Sequence, residues 1–424
     1  MRILHTADWH LGHRLYNHDR TPEHAAALQW LEGLIEREAI DVVIVAGDVF
    51  DVSNPSNQAR QLYYQFLSRL LATDVAAAIV VGGNHDSPSM LDAPREVLQE
   101  LNLHVVGAAR SQVQSQVVTI RTNREGEEEE LIVAAVPFLR ERDVRSAKFG
   151  ESPDERMTGI KQGIQDHFTE IGAAAVATRS ANTVPILATG HLFVGGATDS
   201  EDKKSHIYQA DENNIDAGNF PNCFDYVALG HVHRAQSVNG QDNIRYCGSL
   251  VPLTFVEGMS DRSVRIVDIG KAGEPVSSRK IPVPTARKLY RLHGTLDVVK
   301  AKLRAAVAEH LNREGEDILT PWAEVRVLTD DRIHDLPEQL AATVLEVAAP
   351  EPVREPIKFL RRSQERLSPA PAAAPQQTKQ LDELSPVDVF QLLCAAEELS
   401  EEVATEVLTD FRDLINWKQD QDND

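Results

Sequence analysis

The chain has 424 residues, a formal charge of −22, 42% hydrophobic and 25% charged residues, a balance that excludes disordered, fibrous and collagen-like chains and predicts two or three folded domains. Residues 381–424 alone hold 13 acidic and 2 basic side chains, so half of the charge lies in the last tenth and the rest stays compatible with a phosphate-rich partner. Cys223, Cys247 and Cys394 are odd in number, far apart and form no C-x-x-C pair, a pattern that suggests neither a disulfide framework nor a thiolate zinc site and fits a reducing compartment.

The opening residues, Met-Arg-Ile-Leu-His-Thr-Ala-Asp, lack the apolar core and cleavage site of a signal peptide. No run approaches the ~18 apolar residues of a membrane span. A cytoplasmic protein with no membrane contact is the expectation. From residue 1 to about 283, β-rich runs alternate with helical stretches, the pattern of a layered α/β domain. Strands are predicted at Arg2–Thr6, Asp41–Ala46, Ala76–Val81, Leu131–Val136, Pro185–Thr189 and Tyr226–Leu229. Helices are predicted at Thr21–Arg37, where Ala25, Leu28, Leu31, Leu34 and Ile35 form one apolar face, and at Gln58–Leu71. Gly126 followed by Glu127–Glu130 reads as a solvated acidic hairpin.

After Pro282-Val283-Pro284 the pattern restarts: strand Lys288–Leu292, helix Leu296–Leu311, strand Ala323–Leu328, helix Leu336–Ala348 and strand Ile357–Leu360. A small second α/β domain over 284–366 follows. A Pro- and Ala-rich stretch over 367–380 reads as a semi-extended linker. Residues 381–424 then carry two amphipathic helices, one starting at Ser385-Pro386, the other with Val403, Val407, Leu408, Phe411, Leu414 and Ile415 as its apolar stripe. Such a hairpin is too small for a core of its own, so it either folds back on the chain or docks on a partner, the partner being favoured.

Five of the predicted strands end in ligand-type side chains: Asp8-x-His10, Gly47-Asp48-x-x-Asp51, Gly83-Asn84-His85-Asp86, Gly190-His191 and Gly230-His231-x-His233. Ligand sites in open α/β sheets lie at the carboxyl ends of strands. Carboxylate, imidazole and amide donors without thiolate point to a borderline divalent ion such as Mn²⁺. Asp8, His10, Asp48, Asn84, His191, His231 and His233 are more donors than one tetrahedral ion uses, so two ions are expected, with Asp48 bridging. At i, i+2 spacing, Asp8 with His10 and His231 with His233 would share a face if strand geometry persisted. The glycines before Asp48, Asn84, His191 and His231 would allow the chain to turn its ligands inward. The other ten histidines, His206 among them, read as solvated or structural.

In that order the motifs resemble the calcineurin-like metallophosphoesterase superfamily, whose fold is a four-layer αββα sandwich. Finer features, from His5-Thr-Ala-Asp-Trp-His-Leu-Gly12 and Val45-Ala-Gly-Asp-Val-Phe-Asp51 to Arg245-Tyr-Cys-Gly-Ser249, are similar to its SbcD branch of nuclease subunits over residues 1 to about 365. The resemblance implies one Mn²⁺ on Asp8, His10, Asp48 and His233, a second on Asp48, Asn84, His191 and His231, with Mg²⁺ a possible substitute, and His85 as the group that assists the leaving oxygen. It further implies a DNA-contacting capping domain, where Lys288, Arg291, Lys358, Arg361, Arg362 and Arg366 are candidates for phosphate contact, and C-terminal helices that dock on the ATPase SbcC. The activities implied are ATP-dependent 3′→5′ exonuclease on double-stranded DNA ends and endonuclease on single strands and hairpins, serving repair, replication and recombination. The assembly implied is an SbcD homodimer within a heterotetramer.

Asp86 is expected to orient His85 or brace the turn. Asp51, where archaeal and eukaryotic relatives carry His, stays outside the expected metal set. No G-x-x-x-x-G-K-[ST] loop occurs, in keeping with ATP handled by the partner. A phosphoprotein or small-phosphodiester hydrolase is the main competing reading, but Val52-Ser53 stand where G-D-x-x-D-R-G would require Arg-Gly, and Asp86 where G-N-H-E would require Glu. An inactive DNA-tethering subunit is the other.

Overall fold

The computed structural model describes residues 1–124, 126–146, 150–197, 215–315, 318–348 and 354–366, with 387, 390, 405 and 407–412. Two compact units divide the chain, Met1–Glu365 and Arg366–Asp424.

Two six-stranded sheets form the centre of the first unit. The first runs in the order Ser277–Pro282, Ser263–Asp268, Arg2–Thr6, Val42–Ala46, Ala77–Val81 and Leu103–Val106. Its last four strands are parallel, and the two preceding ones pair antiparallel. The second has the order Gln236–Val238, Gln241–Tyr246, Tyr226–Gly230, Ile186–His191, Glu127–Ala134 and Val117–Arg124. Strand periodicity sorts the side chains into layers. Ile3, Val42, Ile44 and Ile79 of the first sheet meet Leu131, Val133, Leu187 and Tyr226 of the second in one dry layer. Leu4, Val43, Val45 and Val80 point the other way, onto helices Thr21–Arg37 and Asn57–Leu70. Ile132, Ala134, Ile186 and Ala188 likewise face the helix Pro153–Thr178. Helix, sheet, sheet, helix is the αββα sandwich expected. Because the central strands are buried on both faces, they read as continuous apolar runs rather than alternating ones.

The third sheet, Leu289–Gly294, Trp322–Leu328 and Lys358–Glu365, is wholly parallel. Helices Leu296–Leu311 and Leu336–Leu345 supply its crossovers and cover it with Val299, Leu303, Val307 and Leu340. A buried polar joint links it to the sandwich: Glu23 accepts from Arg20 Nε at 2.8 Å and from Arg287 Nε at 2.7 Å, while the Arg287 guanidinium lies 4.2 Å from the Trp322 ring centre.

Of the second unit, residues 387, 390, 405 and 407–412 are helical, and Phe390 and Phe411 stack with ring centres 4.0 Å apart. The expected linker over 367–380 and most of the expected C-terminal helices lie outside the described residues, as do His206 and Cys394. Among the described residues no helix is long and apolar enough to cross a membrane.

Ile44 is fully buried between the two sheets, where a truncation leaves a cavity that neither sheet can close. Ile44→Ala is expected to lower the unfolding free energy by about 2–5 kcal/mol, read as a reduced midpoint in urea with an unchanged slope.

Candidate metal centre

The carboxyl ends of strands from both central sheets converge on one place. Asp8 and His10 follow the strand that ends at Thr6, Asp48 the strand that ends at Ala46, and Asn84 the strand that ends at Val81; His191 closes its own strand, and His231 and His233 follow Gly230. One donor atom each from Asp8, His10, Asp48 and His233 lie within 4.8 Å of one another, as do those of Asp48, His191 and His231. Asn84 completes the second group, its Oδ1 lying 3.1 Å from His191 Nε2 and 3.0 Å from His231 Nδ1. All seven expected donors therefore come together, and Asp48 belongs to both groups.

The local geometry differs from the strand alternation expected for Asp8 with His10 and His231 with His233. None of the four is in a strand. Asp8, His10, Asp48 and His231 instead hold φ values of 51°, 47°, 48° and 95°, a left-handed backbone that costs non-glycine residues free energy and persists only where the surroundings enforce it. Two glycines permit the crowding. A Cβ on Gly47 would stand 2.1 Å from His191 Nδ1, and one on Gly83 would stand 2.1 Å from Asp48 Oδ1. Gly83 and Gly230 thus serve close approach rather than a turn, since neither has positive φ.

Hydrogen bonds assign the imidazole faces. His191 Nδ1 donates to the Ala46 carbonyl at 2.9 Å, leaving Nε2 to face Asp48 Oδ2 at 3.3 Å. His233 Nδ1 meets Glu257 Oε1 at 3.1 Å, and its Nε2 lies 3.2 Å from His10 Nε2. Asp51 reaches back to His10 Nδ1 at 3.3 Å, and its carbonyl accepts from His85 Nδ1 at 2.7 Å. Asp86 braces the turn, as one of its two expected roles: its carboxylate accepts from the backbone N–H of Gly83, Val49 and Phe50 at 2.8, 3.1 and 2.9 Å. Glu257 is the residue that sequence reasoning missed. Nothing in its local pattern marks it, because its partner His233 is 24 positions away.

Burial makes these charges interdependent. Burial opposes ionisation of Asp48, but His191, then His10 and His85, outweigh it and hold the carboxyl well below its usual range. Burial likewise opposes a charged His191, and the Asp48 and Asp8 carboxylates overcome it, raising the pKa to about 9. Burial and the neighbouring Asp48 push Asp86 up to about 6, against its three backbone donors. His5, by contrast, is a structural histidine: it bonds Tyr226 Oη and the Leu229 carbonyl, and burial lowers its pKa to about 3.

The donor set fits a pair of divalent cations. Asp8 accepts from the His231 N–H through Oδ1 at 2.8 Å, while its buried Oδ2, on the same donor group, has no protein hydrogen bond. Paired Nε2 atoms of His10 and His233 facing each other, with carboxylates beside them, give the mixed nitrogen and oxygen environment of borderline metals.

The basic residues expected at phosphates are partly engaged within the chain. Lys288 pairs with Glu309, Lys358 meets His18, and the Arg362 guanidinium lies over the Phe359 ring. Arg291, Arg326 and Arg361 all converge on the buried Glu324, at 3.7, 3.0 and 3.6 Å, three cations on one carboxylate.

A family model described as calcineurin-like phosphoesterase matches residues 1–235, and one described as type 5 capsule protein repressor C-terminal domain matches residues 285–398. The chain is 35% identical over 401 residues to the SbcD subunit of the SbcCD nuclease of Escherichia coli K12, covering 95% of this chain and 94% of that protein. It is 32% identical to the SbcD protein of Rhodobacter capsulatus, over 84% of this chain and 89% of that one. With the Bacillus subtilis counterpart the identity is 31%, over 69% and 72%.

Two outcomes test this centre. Because His191 of the metal-free protein keeps its proton up to about pH 9, a cation must displace it, so apparent Mn²⁺ affinity should rise between about pH 7 and pH 9, by up to about tenfold per unit for each proton released. Calorimetry in buffers of different ionisation enthalpy measures that release. The sign for folding is opposite: the stabilisation of the metal-free fold that the raised pKa of His191 contributes is complete below its ordinary value of 6.5 and fades as pH rises through about 9. Separately, Gly83→Ala should reduce Mn²⁺ binding by an order of magnitude or more, measured by the same titration, since its methyl would overlap the Asp48 carboxylate.

Proposed function

The chain belongs to the calcineurin-like phosphoesterase superfamily and within it to the SbcD family of nuclease subunits, and from that footing we propose that its centre hydrolyses DNA phosphodiesters with two Mn²⁺ ions, Mg²⁺ being a possible substitute. The observation that carries the reading is the sharing of Asp48 by two buried donor groups. Asp8, His10, Asp48 and His233 would hold one ion, and Asp48, Asn84, His191 and His231 the other. Two such ions, when bound, make a water more acidic and neutralise charge on the phosphate oxygens.

The remaining work falls to the chain. His85 stands beside the donors, its ring centre 4.8 Å from that of His10. Donation from its Nδ1 to the Asp51 carbonyl fixes the ring and assigns proton delivery to the Nε2 side, as a general acid for the leaving oxygen. A water oxygen would bond to phosphorus and release its proton to solvent, the phosphorus–oxygen bond to the leaving group would break, and the Nε2 proton of the His85 imidazolium would go to that oxygen, leaving a neutral ring that regains its proton from solvent. Burial of the surrounding donors keeps bulk water away and strengthens each charge interaction.

Residues 1–283 are assigned to the nuclease domain, 284–366 to a DNA-contacting cap, 367–380 to a linker and 381–424 to helices that dock on SbcC. In the cap, the excess of guanidinium around Glu324 favours phosphate contact by Arg291 and Arg361. We assign the chain ATP-dependent 3′→5′ double-strand exonuclease and single-strand or hairpin endonuclease activities, with ATP handled by SbcC, and place it in a cytoplasmic heterotetramer containing two copies.

His85→Gln should lower Mn²⁺-dependent cleavage of hairpin and linear DNA by about 10²–10⁴-fold while leaving two bound Mn²⁺ per chain. Metal content by mass spectrometry alongside a gel assay with SbcC checks it. Equal loss of metal would make His85 a ligand, and wild-type protein that cuts no DNA with Mn²⁺ and SbcC would end the nuclease reading.

A further inference from the structure

One buried carboxylate next to the centre has no place in the donor set. Glu257 opens the short turn Glu257–Met259 and is 5% exposed. Its Oε1 meets His233 Nδ1 at 3.1 Å, and its Oε2 accepts from the Leu253 N–H at 3.0 Å and the Ser249 hydroxyl at 3.3 Å. Arg262 Nη1 lies 3.5 Å from the same oxygen and donates to the His233 carbonyl at 2.8 Å. The Ser249 N–H also bonds that carbonyl, at 3.3 Å. His233 is therefore clamped by ring and backbone together.

An ionised carboxylate only accepts, so the hydrogen on this contact belongs to His233 Nδ1, and the lone pair belongs to Nε2, the atom beside His10 Nε2. In the second donor group the equivalent bond, from His191 Nδ1, goes to the neutral Ala46 carbonyl. A carboxylate partner makes an imidazole more basic than a carbonyl partner does. The two groups are consequently unequal in how their histidines are held.

We propose that Glu257 is a positioning residue that fixes the Nε2 lone pair of His233 and thereby sets the divalent-cation affinity of the Asp8, His10, Asp48 and His233 group without setting that of the other. This rests on the reading of His233 as a metal ligand. Removing such a partner lowers metal affinity by about 10–100-fold, and the loss is confined to one of two sites.

The test is Mn²⁺ titration calorimetry of the full chain, with ¹⁵N histidine spectra of the metal-free protein recorded above the imidazole titration. Glu257→Gln is expected to weaken one of two Mn²⁺ binding steps by about 10–100-fold and leave the other unchanged, with the variant's circular-dichroism melt confirming a folded chain. Glu257→Asp, which keeps the charge facing Arg262 but draws it back from His233, should give the same one-sided loss, smaller in size, and serves if the Gln variant does not fold. Wild-type spectra should show His233 with its hydrogen on Nδ1. Unchanged titrations, equal weakening of both steps, or a wild-type His233 with its hydrogen on Nε2 would overturn the proposal while leaving the metal centre intact. Wild-type protein that binds no Mn²⁺ would overturn both.

Discussion

The arrangement of the whole site depends on a single buried carboxylate. Asp48 is almost wholly removed from water and lies between two clusters of imidazoles, so its charge must be met by His191 on one side and His10 on the other. Burying an anion among hydrogen-bonded cations or metal ions is tolerable, whereas burying it alone is not. Each surrounding feature answers this demand: the left-handed turns at Asp8, His10 and His231, the absence of a side chain at Gly47 and Gly83, and the carbonyl that holds His191.

The two sheets explain how residues separated by more than two hundred positions can meet that demand. Each sheet contributes parallel strands whose carboxyl ends open toward the same edge of the sandwich, and the dry layer between Ile44 and its neighbours and Tyr226 and its neighbours sets their spacing. Helices on the outer faces fasten each sheet but supply no donor. Fold and chemistry are thus separable: side chains alternate between layers along the strands, and donors begin where the strands stop.

Much of this was legible in the sequence for a physical reason. Helix Thr21–Arg37 and helix Leu296–Leu311 have the predicted bounds, because their apolar faces and Pro or Thr starts are local signals. All seven expected donors were legible because each stands at or just beyond the end of a strand and most stand beside a glycine. The strand Ser263–Asp268 was not, since it pairs antiparallel with Arg2–Thr6 from far along the chain, nor was Ser277–Pro282, a largely exposed polar strand that joins only through Ser263–Asp268, nor the long helix Pro153–Thr178 despite its Ser152 and Glu155 capping box. The condition of persisting strand geometry is not met at Asp8 and His10, because the backbone turns left-handed just beyond Thr6, and they reach one site through that turn instead. Glu257 was invisible because only tertiary folding brings it to His233.

The carboxylate of Asp86 joins two loops that leave neighbouring strands, the one through Val49 and Phe50 and the one through Gly83. With three amides drawn onto one side chain, neither loop has a conformation independent of the other. An insertion that moves either loop therefore pulls an amide off the shared carboxylate and loosens the other, so the two act as a single mechanical part.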